Sequence, residues 1–274
     1  MSAGNGLGND SRRNGPPPFD AGVAHVARVY DYGLGGKDNF AADRAAGDLV
    51  LAAYPDIVAG VRANRAFLGR AVRYLAAAAG IRQFLDIGMG MPAANNTHEV
   101  AQSVAPESRI VYVDYDPVVL AHARALMISG PAGVVAYLDA DVRDTGQVVA
   151  GAARTLDFSQ PVAVVLTGVL ENFTDDEAYP IVARLLDAVP PGSYLAISHT
   201  PSDINAEQMA KMVEILDRLT GEEGTLRDRA GVARFFEGME MVEPGLVLSR
   251  QWRPDTKTEA TSPAGLWCAV ARKP

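Results

Sequence analysis

The sequence predicts an α/β protein: one open, doubly wound, mostly parallel sheet behind a helical N-terminal cover. Three observations carry that expectation. After Gly80, short apolar runs alternate with helical patterns, as parallel strands joined by right-handed crossovers require. Before Gly80 the periodicity is helical, with no alternation of period two. The run VAVVL (162–166) is apolar throughout, as a central strand covered on both faces must be.

Taken in order, residues 1–19 are rich in Gly, Asn, Ser and Pro, a composition expected to form a disordered tail. Residues 20–81 form the expected helical cover. AHVARVYDY starts a first helix, broken by the glycines between Gly33 and Gly36. NFAADRAAGDLVLAAY ends before Pro55, and IVAGVRANRAFLGRAVRYLAAAAG closes at the C′ glycine Gly80. Residues 82–274 form the sheet domain. Its strands are expected at 83–85, 109–113, 134–138, 162–166 and 194–198, with helices between them at 98–104, 117–127, 144–153 and 175–188. A longer helix (206–219) and a short one (230–236) follow. Two late strands, 246–250 and 266–271, are expected to pair as an antiparallel hairpin around a polar loop (253–265), which makes seven strands.

Composition excludes several classes of function. The net charge is −8, and the arginines are scattered without a basic stripe, which argues against nucleic acid as the main partner. No apolar run approaches the ~18 residues of a membrane span, and the N-terminus lacks the apolar core of a signal peptide. One cysteine, Cys268, allows no internal disulfide and suits a reducing cytoplasm, the expected location.

Open α/β sheets bind ligands beyond the carboxyl ends of their strands. The first strand leads into QFLDIGMGMPAANNTHEVAQ: Asp86, the glycines Gly88 and Gly90, Pro92, then a helix starting near Asn96 or Thr97. Strand, glycine turn and helix N-terminus form a ledge that lets a nucleotide-like ligand approach the backbone closely. The next strand ends carry Asp114-Tyr115-Asp116, then Asp139-Ala140-Asp141-Val142, then Thr167-Gly168. Acidic residues at three successive strand ends suit a ligand rich in hydrogen-bond donors: an ammonium, a ribose diol and an exocyclic amine.

This set resembles the class I S-adenosylmethionine-dependent methyltransferases over nearly the whole region from Gln83 to Lys273. That resemblance implies a Rossmann-like fold and S-adenosylmethionine as cofactor. It implies that Asp86, Gly88 and Gly90 hold the methionine and ribose part, that Asp114 holds the ribose, that Tyr115 beside it also binds the cofactor, and that Asp141 and Val142 contact the adenine. Thr167 and Gly168 complete the cofactor side. The Pro191-Gly192-Ser193 turn before YLAIS fits the same pattern. More narrowly, ARVYDYGLGGKDNFAADR, NRAFLGRAVRYLA and NNTHEVAQ are similar to an actinobacterial family of S-adenosyl methyltransferases formerly known as a domain of unknown function. Pro92-Ala93 stands where a third glycine is usual, so an N-terminal basic residue is the alternative source of methionine-carboxylate contacts.

The main rival is a nicotinamide or flavin dinucleotide site, because Gly88 to Ala93 also fits G-x-G-x-x-G/A. Pro92 has no N–H for a pyrophosphate, and Asp86 would set a carboxylate near an anion. A non-catalytic S-adenosylmethionine sensor is the second alternative, since no catalytic base is identifiable. GLGGKD (33–38) is not a phosphate loop: it follows no strand and has Asp38 where Ser or Thr is needed. The resemblance favours a lid hinge there, with Tyr30, Tyr32 and Lys37 as walls of the substrate pocket. Arg65, beside Asn64, is a further pocket or carboxylate-binding candidate. Glu171 and Asn172 (with Phe173) follow the fourth strand, and His199 follows the fifth. The four histidines make no metal-ligand grouping, so no metal is expected. Methyl transfer to a small molecule under a helical roof is the expected function.

Overall fold

The computed structural model describes residues 19–256 and 265–274. All but the last residue of the expected tail lies outside them, as does the middle of the expected polar loop. Three helices come first: α1 (Val26–Leu34), α2 (Ala41–Ala53) and α3 (Ile57–Ala77). Strands and helices then alternate: β1 (Gln83–Ile87), α4 (Thr97–Val104), β2 (Arg109–Asp114), α5 (Pro117–Leu126), β3 (Val134–Asp139), α6 (Thr145–Ala152), β4 (Ala163–Thr167), α7 (Asp175–Asp187) and β5 (Tyr194–His199). The chain closes with α8 (Ala206–Thr220), α9 (Arg229–Arg234), β6 (Glu240–Met241), β7 (Val247–Leu248) and β8 (Trp267–Arg272).

The strands make one sheet in the order β3-β2-β1-β4-β5-β8-β6, with β7 also paired to β8. The first five are parallel; β6, β7 and β8 run antiparallel. The chain therefore winds outward from β1 in both directions, and the switch lies between β1 and β4. The β7–β8 pair is the expected hairpin. β6 was not expected, because two residues cannot display an alternating pattern. Asp86 lies inside β1, paired in register with Tyr112 and Val165, instead of following the strand.

Two apolar layers sandwich the sheet. One face packs Leu85, Val111, Val164 and Ile197 against α6, α7 and α9. The other packs Phe84, Ile110 and Val165 against α3, through Phe67, Leu68, Ala71, Val72 and Leu75. Burial of these large side chains stabilises the fold by ~1.5–3 kcal/mol each before entropy is counted. α3 thus lies directly on the sheet. By contrast, α1 and α2 share two small apolar clusters with α8, centred on Val50, Tyr54, Met209, Met212 and Ile215 and on Ala24, Val29 and Ala46. These three helices stand over the carboxyl ends of the parallel strands.

Local signals explain how the helices begin. Asp116 caps α5, its Oδ1 accepting from Val118 N at 2.6 Å, and Pro117 supplies the first-turn φ. Asn96 precedes α4, and Glu99 Oε2 accepts from its backbone N–H at 2.9 Å. The Gly33–Gly36 break is a pinned turn. Gly35 takes φ +86° at the end of α1, and the buried Asp31 carboxylate accepts from Asp38 N and from Asn39 Nδ2.

Candidate active site

Between the strand ends and the roof of α1, α2 and α8 lies a cavity of about 920 Å³. It is lined by Asp86, Gly88, Gly90, Asp114, Tyr115, Asp141, Val142, Thr167 and Gly168, so the fold brings all nine cofactor candidates to one wall. Tyr30, Tyr32, Arg65, Glu171 and Asn172 also line it. Lys37 does not: it is exposed, past the end of α1. His199 does not either.

The ledge is built on a buried carboxylate. Asp86 accepts from Thr97 Oγ1, the first residue of α4, at 2.6 Å. Burial raises its pKa to about 6, against the opposing effects of the Thr97 hydrogen bond and the Arg65 charge. Gly88 has φ +69°, and a Cβ there would meet Val169 Cγ2 at 2.3 Å, so only glycine lets the ledge run this close to the end of β4. Gly90 also has positive φ, and its N–H donates to Asp114 Oδ2 at 3.2 Å. The other Asp114 oxygen accepts from Asp116 N at 3.0 Å. Burial raises the Asp114 pKa as well, while these two N–H donors work against that shift. Asp141 lies farther out, its carboxylate engaged with the backbone and guanidinium of Arg143.

Arg65 reaches across from α3. Its Nη2 donates to Ala94 O at 3.0 Å and to Asn96 Oδ1 at 3.3 Å, on the lengthened turn after the ledge. Its Nε is buried without a partner among the described residues, and so are His25 Nε2 and Glu171 Oε2. All three side chains line the cavity. Buried polar atoms left in this state are costly, and these three lie behind the accessible surface of the cavity.

His199 is fully buried. Its Nε2 lies 2.7 Å from Arg227 Nη1, which can only donate, so Nε2 is the acceptor and Nδ1 carries the proton toward Thr200 O at 2.9 Å. Burial lowers its pKa, keeping it neutral. The expectation that His199 contacts substrate is therefore corrected: it is an acceptor for a buried arginine. The same Arg227 donates to Leu170 O and Phe173 O and pairs with Asp175, fastening the turn that carries Glu171.

Sequence reasoning missed His25 and the whole α8 wall, including Met212, Val213 and Leu216. The stripe Met209, Met212, Ile215, Leu216, Leu219 signals an apolar face on α8, but not what it covers. Among the described residues no cluster of His, Cys, Asp and Glu is gathered as a metal site needs, and no helix is long and apolar enough to cross a membrane.

The S-adenosyl methyltransferase family model matches residues 12–274. A DUF574 family protein from Streptomyces avermitilis MA-4680 is 42% identical, aligned over 93% of this chain and 99% of its own, with a TM-score of 0.89. A candidate methyltransferase from Thermobifida fusca YX is 41% identical, over 92% and 96% of the two chains, with a TM-score of 0.85. Magnesium protoporphyrin IX methyltransferase from Synechocystis PCC 6803, solved with bound S-adenosylmethionine, shares the fold at 12% identity, over 90% of each chain, with a TM-score of 0.51. No curated protein matches. The ledge, the strand-end carboxylates and the match over almost its full length place this chain in the S-adenosyl methyltransferase family, enzymes that use S-adenosylmethionine.

Proposed function

We propose that the protein transfers the methyl group of S-adenosylmethionine to a small, largely apolar molecule enclosed between the sheet and the helical roof. The observation that carries this reading is the 920 Å³ cavity itself, with buried carboxylates along one wall and apolar helix faces above. The residues present fit the cofactor. Asp86, buried and near Arg65, suits an α-ammonium, while the Arg65 guanidinium on the cavity lining suits the adjacent carboxylate. Asp114, at the end of β2, suits a ribose diol; Tyr115, Asp141 and Val142 suit the adenine end; Thr167 and Gly168 close the sulfur end. The bound cofactor supplies a sulfonium methyl open to in-line displacement. The chain's own work is alignment and exclusion of water. Tyr30, Tyr32, Glu171 and Asn172 form the acceptor side, and we assign the N-terminal helices α1 and α2 the part of cover. The single, buried cysteine fits work in the cytoplasm.

Calorimetric titration with S-adenosylmethionine, S-adenosylhomocysteine and NAD(P) tests the cofactor assignment. The sulfur nucleosides are expected to bind. Tight NAD(P) binding without them would overturn the reading in favour of the dinucleotide site. Formation of S-adenosylhomocysteine with a metabolite library then separates an enzyme from a sensor.

A further inference from the structure

Residues 221–225 run past the mouth of the cavity, between the end of α8 and the buried Arg227. Their two attachments to the floor lie on opposite sides of β1. Tyr115 Oη, just after β2, donates to Glu222 Oε1 at 2.7 Å. Thr225 N donates to Glu171 O, beyond β4, at 2.7 Å. In the sheet β1 lies between β2 and β4. Two strand spacings are about 9.5 Å and three residue steps reach at most about 11 Å, so a segment of this length can bridge them. It therefore passes over the ledge at Gly88 and Gly90. Glu222 and Gly224 line the cavity, and Tyr115 lines it while being 39% exposed. The Tyr115–Glu222 contact thus stands between cavity and solvent.

The rest of the roof is held more firmly. Buried Arg28 ties α1 to Asp43 and Asp116, and Tyr30 Oη donates to Val61 O and accepts from Asn64 Nδ2 on α3. α2 and α8 share the cluster around Val50, Tyr54, Met209, Met212 and Ile215. By contrast, Gly, Glu, Glu, Gly and Thr at 221–225 add nothing to the apolar clusters. Among the described residues, the two hydrogen bonds above are the segment's only polar ties to the floor. It starts at Gly221, with φ +74° and open space around its Cα. Few buried contacts and surface hydrogen bonds mark the part of a fold that opens at least cost.

Resting on the methyltransferase reading above, we propose that residues 221–225 are a strap that swings away from the floor to admit and release the cofactor, with the Tyr115–Glu222 hydrogen bond as its latch. Gly221 is the hinge on the α8 side. Beyond the strap, Arg227 fixes the chain by donating to Leu170 O and Phe173 O and by pairing with Asp175. Closed, the strap covers the ledge and excludes water, which methyl transfer needs. Open, it exposes the β1 end of the cavity without unpacking either apolar layer of the sheet. The latch uses only the hydroxyl of Tyr115 and leaves its ring to the cofactor. Losing that hydroxyl weakens the closed strap equally in free and loaded protein. Entry and release then both quicken, and the affinity, which is their ratio, stays.

The test is surface plasmon resonance of S-adenosylhomocysteine on full-length protein, with Tyr115→Phe, Glu222→Ala and the double variant. Each single variant is expected to raise the association and dissociation rate constants at least about threefold, the scale of one hydrogen bond, with Kd kept within about twofold. The double variant should be no faster than the singles, because all three remove one contact. Hydrogen exchange should show the Thr225 amide, which donates to Glu171 O, losing protection in Tyr115→Phe. Unchanged rates in either single variant overturn the proposal, as do rate gains that multiply in the double variant. Faster release without faster entry also overturns it, since the Tyr115 hydroxyl would then touch the cofactor itself. Protection kept at Thr225 while the rates rise would mean that another segment moves, and overturns it too. Failure of S-adenosylhomocysteine to bind the native protein is a distinct result: it overturns the cofactor reading, and the proposal with it.

Discussion

Asp86 shows how a single residue ties stability to ligand binding. Its carboxyl titrates near 6 in the fold because it is buried, against 3.8 when solvated. A folded pKa above the unfolded one means that the folded state holds the proton more tightly. The stabilisation is complete below about pH 4 and is lost as pH rises through about 6. The two units correspond to about 3 kcal/mol as an upper scale. Asp86→Asn keeps an acceptor for Thr97 but removes the titration. We expect the unliganded variant to be more stable than native protein at pH 7 and to lose the pH 4–6 slope in urea unfolding, while binding S-adenosylmethionine more weakly. A native-like slope in the variant would refute this. Asp114 is a cleaner binding probe. Asp114→Ala is expected to weaken S-adenosylmethionine at least tenfold by calorimetry, the scale of hydrogen bonds to a charged group, with an unchanged circular dichroism spectrum. Unchanged affinity would mean that the ribose lies elsewhere.

Among the elements, α1 depends on one buried arginine. Arg28 Nε donates to Asp43 Oδ2 at 2.9 Å and Nη2 to Val23 O at 2.8 Å, with Nη1 3.6 Å from Asp116 Oδ2. It therefore joins α1 to α2 and to the cap of α5. Removing it leaves Asp43, which is fully buried, without its cation. Arg28→Ala is expected to cost about 3–5 kcal/mol in urea unfolding, or to detach the roof selectively. Hydrogen exchange would distinguish the two: protection lost only in α1 and α2 means local detachment, and protection lost throughout means global destabilisation. The sequence suggests a lid hinge at the glycine turn after α1, with Lys37 on the pocket wall. Asp31 accepts from Asp38 N and Asn39 Nδ2 across that turn, and Lys37 lies outside the cavity.

Across the whole molecule, the cavity lies between a sheet with two large apolar layers and a roof with only small clusters. Ligands that bridge roof and sheet should stabilise both together. Saturation with S-adenosylmethionine at about 100 times its Kd is expected to add about 2.7 kcal/mol, read as a raised melting temperature by scanning calorimetry. NAD(P) at the same concentration should leave the transition unmoved. A shift with NAD(P) alone would count against the assignment.

What the sequence determined by itself is local. The alternation of strands and helices, the glycine ledge and the strand-end carboxylates were legible because each depends on neighbours a few residues apart, through backbone periodicity and turn conformation. Boundaries came within a few residues, except at β6, where a two-residue strand carries no pattern. The roof was only half legible: α1 and α2 were expected there, but α8 shows merely an apolar stripe, whose partner is chosen by packing. Only the tertiary structure placed Arg65 near Asp86, Asn64 and Glu171 on either side of Gly168, and His199 behind Arg227. These pairs lie tens of residues apart in the chain. Their meeting follows from the order β1-β4-β5 and from α3 lying across it, which hydrophobic burial decides and no local spacing encodes.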